Sequence, residues 1–83
     1  MPLPRSYLSQ KLPKPLPTKD GTVLKTIGEA SAYMVELPEK SAQKNCWQYA
    51  VKLILELAGA ERVGYQVKLA LFMDYRLDLS AKG

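Results

Sequence analysis

The sequence has no histidine and a single cysteine, Cys46. One cysteine cannot form a disulfide within the chain, and without histidine or a second thiol there is no zinc-finger or thiol-redox arrangement. No glycine-rich phosphate-binding loop occurs either. We therefore expect no catalytic site, metal or cofactor, and no small-molecule ligand is evident. We interpret Cys46 as a small buried apolar residue.

Long apolar runs are also missing. No stretch could form a helix that spans a bilayer, and the first ten residues, MPLPRSYLSQ, lack the hydrophobic region of a signal peptide. These features predict a cytoplasmic protein without a membrane partner. A chain of 83 residues can form one small domain, whose core is marginal by itself. Association with another chain is a simple way to stabilise such a core.

Positive charge is concentrated at the N-terminus. Residues 1–20 hold four basic residues against one acidic residue, whereas the remaining chain holds eight basic and seven acidic residues and is nearly neutral. The same segment contains five of the six prolines, which remove amide donors and favour extended backbone. We predict a flexible, basic, proline-rich arm at residues 1–20 and a single globular domain at residues 21–83. The basic residues of the arm are Arg5, Lys11, Lys14 and Lys19.

A turn, a short strand and a helix are predicted next. Asp20-Gly21 is a turn signal, and the β-branched run at residues 22–26 is typical of a short strand or hairpin. Thr26 and Glu29 have the spacing of a capping box, in which each side chain satisfies a free amide of the first helical turn. We expect a helix to begin there and to end at Pro38.

The most apolar segment is residues 41–59, SAQKNCWQYAVKLILELAG. Its 3.6-residue periodicity predicts an amphipathic helix that begins at Ser41 or Asn45 and ends at Gly59 in a left-handed conformation. The apolar face of this helix consists of Cys46, Trp47, Ala50, Leu53, Ile54, Leu57 and Ala58. Val51 and Leu55 widen the face beyond what one core needs, so we expect the helix to be covered on two sides.

Residues 63–79 fit two interpretations. Every odd-numbered position is apolar, which is a strand pattern, but the segment is about three times the usual strand length and is rich in good helix formers. We predict a helix from about residue 61 to residue 74 and an extended segment at residues 75–79, with a long β-strand as the alternative. As a helix, it has one apolar face of Val63, Val67, Ala70 and Leu71 and another of Tyr65, Leu69, Phe72 and Met73.

Four short motifs lie between residues 22 and 73. They are Thr26-Ile27-Gly28-Glu29-Ala30, Leu37-Pro38 at a helix end, an aromatic residue followed by Ala50, and Ala70-Leu71-Phe72. Together they resemble a family of small uncharacterised proteins of rhizobia and related alpha-proteobacteria. In that family the first helix follows a short strand and ends in Trp-Pro. The resemblance implies a strand followed by three helices, and it implies no site residues because the family has no established activity.

The sequence thus predicts a small α+β protein that is mostly α-helical, with the arm, one short strand or hairpin and three packed helices. We hypothesise a non-enzymatic interaction or regulatory protein that forms a homodimer, or binds an unidentified protein, through an apolar helical surface. The predicted contact residues are Trp47, Val51, Leu55, Leu69 and Phe72. The alternative is weak, non-specific nucleic-acid binding through the basic residues of the arm. The arm has no aromatic residue beyond Tyr7, so it offers no surface on which bases could stack.

Overall fold

The computed structural model describes residues 4 to 78, and it consists of a two-stranded antiparallel hairpin followed by three main helices. The elements in chain order are α1 (Arg5–Leu8), β1 (Lys11–Pro17), β2 (Val23–Thr26), α2 (Ile27–Val35), α3 (Glu39–Ala42), α4 (Asn45–Leu55) and α5 (Ala60–Met73). Of the described residues, 56% are helical. The predicted α+β, mostly helical fold is confirmed, and α1 and α3 are additional single turns.

The prediction that residues 1–20 form an unpacked arm is wrong for the part that the structure describes. β1 pairs with β2, with Leu16 opposite Leu24. Four residues of the segment are buried, namely Tyr7, Leu12, Leu16 and Thr18. The segment therefore contributes to the core, while its charged side chains and several of its polar and proline residues lie in solvent.

The alternating prolines are compatible with β1 because of the direction in which the strand presents its amides. Thr18 donates its N–H to the Thr22 carbonyl at 2.8 Å, so the amide at this position faces β2. Pro17 and Pro15, one and three residues earlier, face the other way, so their missing donors lie on the side of β1 that points away from β2. The prolines remove no hydrogen bond between the strands there.

The capping box predicted at the start of α2 is confirmed. The Glu29 N–H donates to Thr26 Oγ1 at 3.1 Å, and the Thr26 N–H donates to Glu29 Oε1 at 3.2 Å. The Asp20-Gly21 turn is also present, because Gly21 has a φ of 92°, which a residue without a Cβ adopts without strain. α2 itself ends at Val35, before Pro38.

Of the two starts predicted for the second main helix, Asn45 is confirmed as the first residue of α4, but the predicted side-chain cap and the predicted end at Gly59 are wrong. Lys44 is the N-cap of α4 and no side chain bonds to the free amides there, while Ser41 lies in α3. At the other end the left-handed residue is Leu57, with a φ of 58°. Gly59 has a φ of −61° and is the N-cap of α5. The Ala58 N–H donates to the Leu53 carbonyl at 2.9 Å, which closes the end of α4 while directing Leu57 into solvent.

α5 is a helix over fourteen residues, so the long β-strand alternative is wrong. It contacts α4, β1 and α2, and its position close to the hairpin depends on Gly64. A Cβ atom at Gly64 would lie 3.0 Å from Pro13 Cδ and 3.5 Å from Leu12 Cδ2. The face predicted from Val63, Val67, Ala70 and Leu71 is completely buried.

The residues after α5 return the chain to the hairpin. Tyr75 has a φ of 58° and is not extended as predicted, and Leu77 forms an isolated antiparallel bridge with Thr18. The Lys19 N–H donates to the Arg76 carbonyl at 2.8 Å, and the Asp78 N–H donates to the Pro17 carbonyl at 3.0 Å. The predicted extension to Leu79 lies outside the described residues.

Candidate interaction surfaces

Trp47 is buried and cannot contribute to a contact surface in this fold, contrary to the prediction. Its side chain is 1% exposed, and its ring centroid lies 6.2 Å from that of Tyr33. The indole Nε1–H donates to Asp74 Oδ2 at 3.2 Å. Cys46, its neighbour, is only partly buried and packs at the edge of the core. The apolar face of α4 therefore faces inward at Trp47.

Asp74 accepts hydrogen bonds from three side chains, an arrangement that its polar character alone did not predict. Besides Trp47, Lys44 Nζ lies 2.5 Å from Oδ1 and Arg76 Nε lies 2.6 Å from Oδ2. Burial raises the pKa of the Asp74 carboxyl, but the hydrogen bonds from Lys44, Arg76 and Trp47, together with the nearby Ser41 hydroxyl, outweigh burial and hold the pKa well below its usual range. The Asp74 side chain is 6% exposed, and its bonds link the start of α4 to the segment after α5. Arg76 also donates to Ser41 Oγ and so connects this group to α3.

A first exposed apolar surface, which we name the α2–α4 face, consists of Val35, Val51 and Leu55. These side chains are 79%, 41% and 67% exposed. Together with Met34 and Ile54 beneath them, and with Ser31, they line a groove of about 160 Å³. Among residues 4–78, no titratable side chain lines this groove. Val51 and Leu55 were predicted from the sequence, and Val35 was missed because its position next to α4 depends on the packing of α2.

A second exposed apolar surface, the α5 face, consists of Tyr65, Leu69, Phe72 and Met73, whose spacing of four, seven and eight residues puts them on one side of α5. Their exposed fractions lie between 38% for Leu69 and 69% for Tyr65. This side is opposite the buried side of the same helix. The predicted contact residues Leu69 and Phe72 lie on this face. Val51 and Leu55 lie on the α2–α4 face, so the predicted residues do not form one surface.

The four basic residues predicted on the arm are exposed but do not act as one group. Lys11 is opposite Thr26, at the end of the hairpin that is remote from the turn with Lys19. Lys14 lines a depression with Tyr65, Lys68 and Glu61 on the hairpin side of α5. Lys19 lines another depression with Phe72, Met73, Tyr75 and Leu77. Arg5 belongs to α1.

A larger cleft of about 460 Å³ lies between the hairpin turn, α2 and Arg76. Three of its four charged side chains have partners: Asp20 accepts from the Thr22 N–H, Glu29 completes the capping box, and Arg76 bonds to Asp74. The fourth is Glu36, at the end of α2. Over residues 4–78 no three histidine, cysteine or acidic side chains come together as metal ligands. The helices of the same part of the chain are too short or too polar to cross a membrane.

Comparisons of the chain with protein-family models, with curated proteins and with solved structures found no match.

Proposed function

We propose that this protein is a non-enzymatic interaction protein that forms a homodimer through the α2–α4 face. The observation that carries the proposal is the exposure of three large aliphatic side chains around one groove, with Val35 and Leu55 more than two-thirds exposed. The free energy falls when exposed aliphatic side chains leave water, and a contiguous group of such side chains is typical of a contact surface.

A second copy of the chain is the occupant that the chemistry of this face favours. Two copies related by a twofold axis bring the same face together, so a face with a net charge would be repelled by its own copy. The groove lining contains no titratable side chain, and the pairing of two such faces therefore buries no unpaired charge. Leu55 of one copy would enter the groove of its partner and be received by Val35 and Val51.

The experiment is sedimentation velocity of the full chain over about 1 μM to about 1 mM, the range in which small interfaces associate. We expect the sedimentation coefficient to rise with concentration. Leu55→Glu should weaken the dimer by about 30-fold or more, because the carboxylate would lose its water in an apolar groove. Leu69→Glu makes the same chemical change on the α5 face, and it should leave the dimer unchanged.

Two results would refute the homodimer. The first is a wild-type chain that stays monomeric up to about 1 mM. The second is a dimer that Leu55→Glu leaves intact while Leu69→Glu disrupts it, which would assign self-association to the α5 face. Circular dichroism of both variants shows whether they keep the helix content of the wild type, because both substitutions replace side chains that are more than a third exposed.

A further inference from the structure

We propose that the α5 face, together with the basic side chains along its edges, binds single-stranded nucleic acid. Both halves of such a site are present on one helix side, namely aromatic rings in solvent and cations beside them. Two aromatic rings, those of Tyr65 and Phe72, belong to the α5 face and are 69% and 53% exposed. A third, that of Tyr75, follows directly after α5 and is 80% exposed. Surfaces that bind single strands combine aromatic rings, on which bases stack, with cations that follow the phosphates.

The fold places aromatic rings beside the basic N-terminal segment, which contains no aromatic residue of its own beyond Tyr7. Because β1 packs against α5 through Pro13 and Gly64, Lys14 comes to lie beside Lys68 and the ring of Tyr65 in one depression. The positive charges of a proline-rich segment and the rings of a distant helix thus form one surface. The sequence distance between them is why neither part alone indicates the site.

The C-terminal end of the α5 face has the same composition. Lys19 shares a depression with Phe72, Met73 and Tyr75. Its backbone is fixed there, since the Lys19 N–H donates to the Arg76 carbonyl at 2.8 Å. At the N-terminal end of the face, Arg62 lines a third depression with Tyr65 and Tyr49.

Charge complementarity selects an anionic partner for this face. Four basic residues, Arg62, Lys68, Lys14 and Lys19, line its edges, and Glu61 is the acidic residue among the depressions described above. Within residues 4–78 the ion pairs are those of Lys44 and Arg76 with Asp74, so these four cations remain available to phosphates. A second copy of the chain would place like charges opposite each other, which disfavours self-pairing of this face.

The rings favour an unpaired strand over a duplex. Tyr65 and Phe72 are seven residues apart, or about 10 Å along the helix axis. That is the length of about three stacked nucleotides. A ring in this position can contact the flat side of a base only when the base is not stacked within a duplex, and it does so without regard to sequence. We therefore expect little base preference.

Fluorescence anisotropy of labelled oligonucleotides of about 12 nucleotides, titrated with the full chain, tests the proposal. We expect a single strand to bind more tightly than the corresponding duplex. If all four cations contact phosphates, the slope of log K against log salt is about −2.8, so the affinity falls about 50-fold between about 50 and about 200 mM salt. Lys19→Gln should reduce the slope by about 0.7, whereas Lys40→Gln on α3 should not change it.

Substitution of the rings separates stacking from general attraction to a basic protein. Tyr65→Ala and Phe72→Ala should each lower the affinity for a single strand by roughly 5- to 150-fold. Leu55→Glu on the α2–α4 face adds a negative charge but removes no ring, and it should change the affinity much less. Fluorescence of buried Trp47 confirms that each variant is folded. Because the two faces are tested with different variants, failure of the homodimer leaves this proposal intact, and the reverse also holds.

Three results would overturn the proposal. One is the absence of single-strand binding at about 50 mM salt, where counterion release is strongest. Another is binding that neither Tyr65→Ala nor Phe72→Ala weakens, since this would reflect only the net charge of +4. The third is tighter, ring-dependent binding of an acidic polypeptide such as poly-glutamate, which would assign the α5 face to an acidic protein partner.

Discussion

Replacement of Asp74 by asparagine should destabilise the fold by about 2 kcal/mol, because one charged carboxylate serves three donors. Asparagine keeps one acceptor oxygen but presents its own N–H₂ group where the second carboxylate oxygen stood. Because Trp47 and Arg76 share Oδ2, the amide can keep its oxygen there and turn its N–H₂ group toward Lys44, so the buried indole keeps an acceptor, but a neutral one. Lys44 and Arg76 are 46% and 29% exposed and can be rehydrated, so each of their ion pairs contributes about 1 kcal/mol or less.

The measurement is a urea titration at constant protein concentration, followed by the fluorescence of Trp47, the single tryptophan. A domain of 83 residues has a free energy of unfolding of about 4 to 12 kcal/mol, so the expected loss is readily detected. Glu56→Gln, which neutralises an exposed carboxylate at the end of α4, is the matched control and should stay within about 0.5 kcal/mol of the wild type.

The stability difference between the wild type and Asp74→Asn should depend on pH. The folded pKa of Asp74 lies below the unfolded value of about 3.9, so the carboxylate stabilises the fold above that value and loses its effect as the pH falls through the folded pKa. The difference between wild type and Asp74→Asn should thus be largest near neutral pH and should shrink below about pH 4. A difference under about 0.5 kcal/mol at neutral pH, or one that does not change with pH, would refute the role given to this carboxylate.

Two further substitutions each test a single hydrogen bond. Thr26→Ala removes the hydroxyl that accepts from the Glu29 N–H and should cost about 1 kcal/mol, whereas Thr26→Ser should restore most of the loss; a serine variant as unstable as alanine would contradict the capping role. Tyr7→Phe removes the 2.6 Å bond from the tyrosine hydroxyl to the Ala58 carbonyl and should also cost about 1 kcal/mol. Tyr75→Phe alters an exposed hydroxyl and serves as its control, and equal losses in the two variants would argue against the buried bond. Urea titration measures all four.

The helices could be predicted because their signals are local. The capping box at Thr26 and the termination of α2 before Pro38 depend on residues within a turn or two of each other. α5 was the harder case, since its alternation resembles a strand, but the good helix formers and the excessive strand length outweighed the pattern. The left-handed residue after α4 was predicted at Gly59, but the turn that buries Ala58 places it at Leu57, two residues earlier.

β1 could not be predicted because its stability comes from distant residues. Prolines indicate an irregular segment when only their neighbours are considered. Their tolerance here requires that Pro15 and Pro17 face away from β2, and the burial of Leu12 and Leu16 requires the hairpin and α5, which Gly64 allows to approach. None of these conditions can be inferred from residues 1–20 alone.

The surfaces were predicted in part. Periodicity identified two apolar faces on α5 but could not by itself determine which one the core would take, and it could not show that Trp47 points inward while Val51 and Leu55 stay exposed. Lys14 and Lys19 were named as basic residues of an arm, and only their tertiary positions place them beside aromatic rings. Asp74 was not singled out from the sequence, because its three donors are separated from it by 2, 27 and 30 positions.

The contacts between the hairpin and the segment after α5 have a consequence for the order of events during translation. Thr18 meets Leu77 across 59 positions of sequence, and Tyr7 meets Ala58 across 51. A nascent chain that has emerged only through β2 has no helix to cover Leu12 and Leu16, so these side chains stay in water until α5 leaves the ribosome. We infer that β1 docks late and that folding is completed only once residues 76–78 are released, more slowly than in a helical bundle with mostly local contacts.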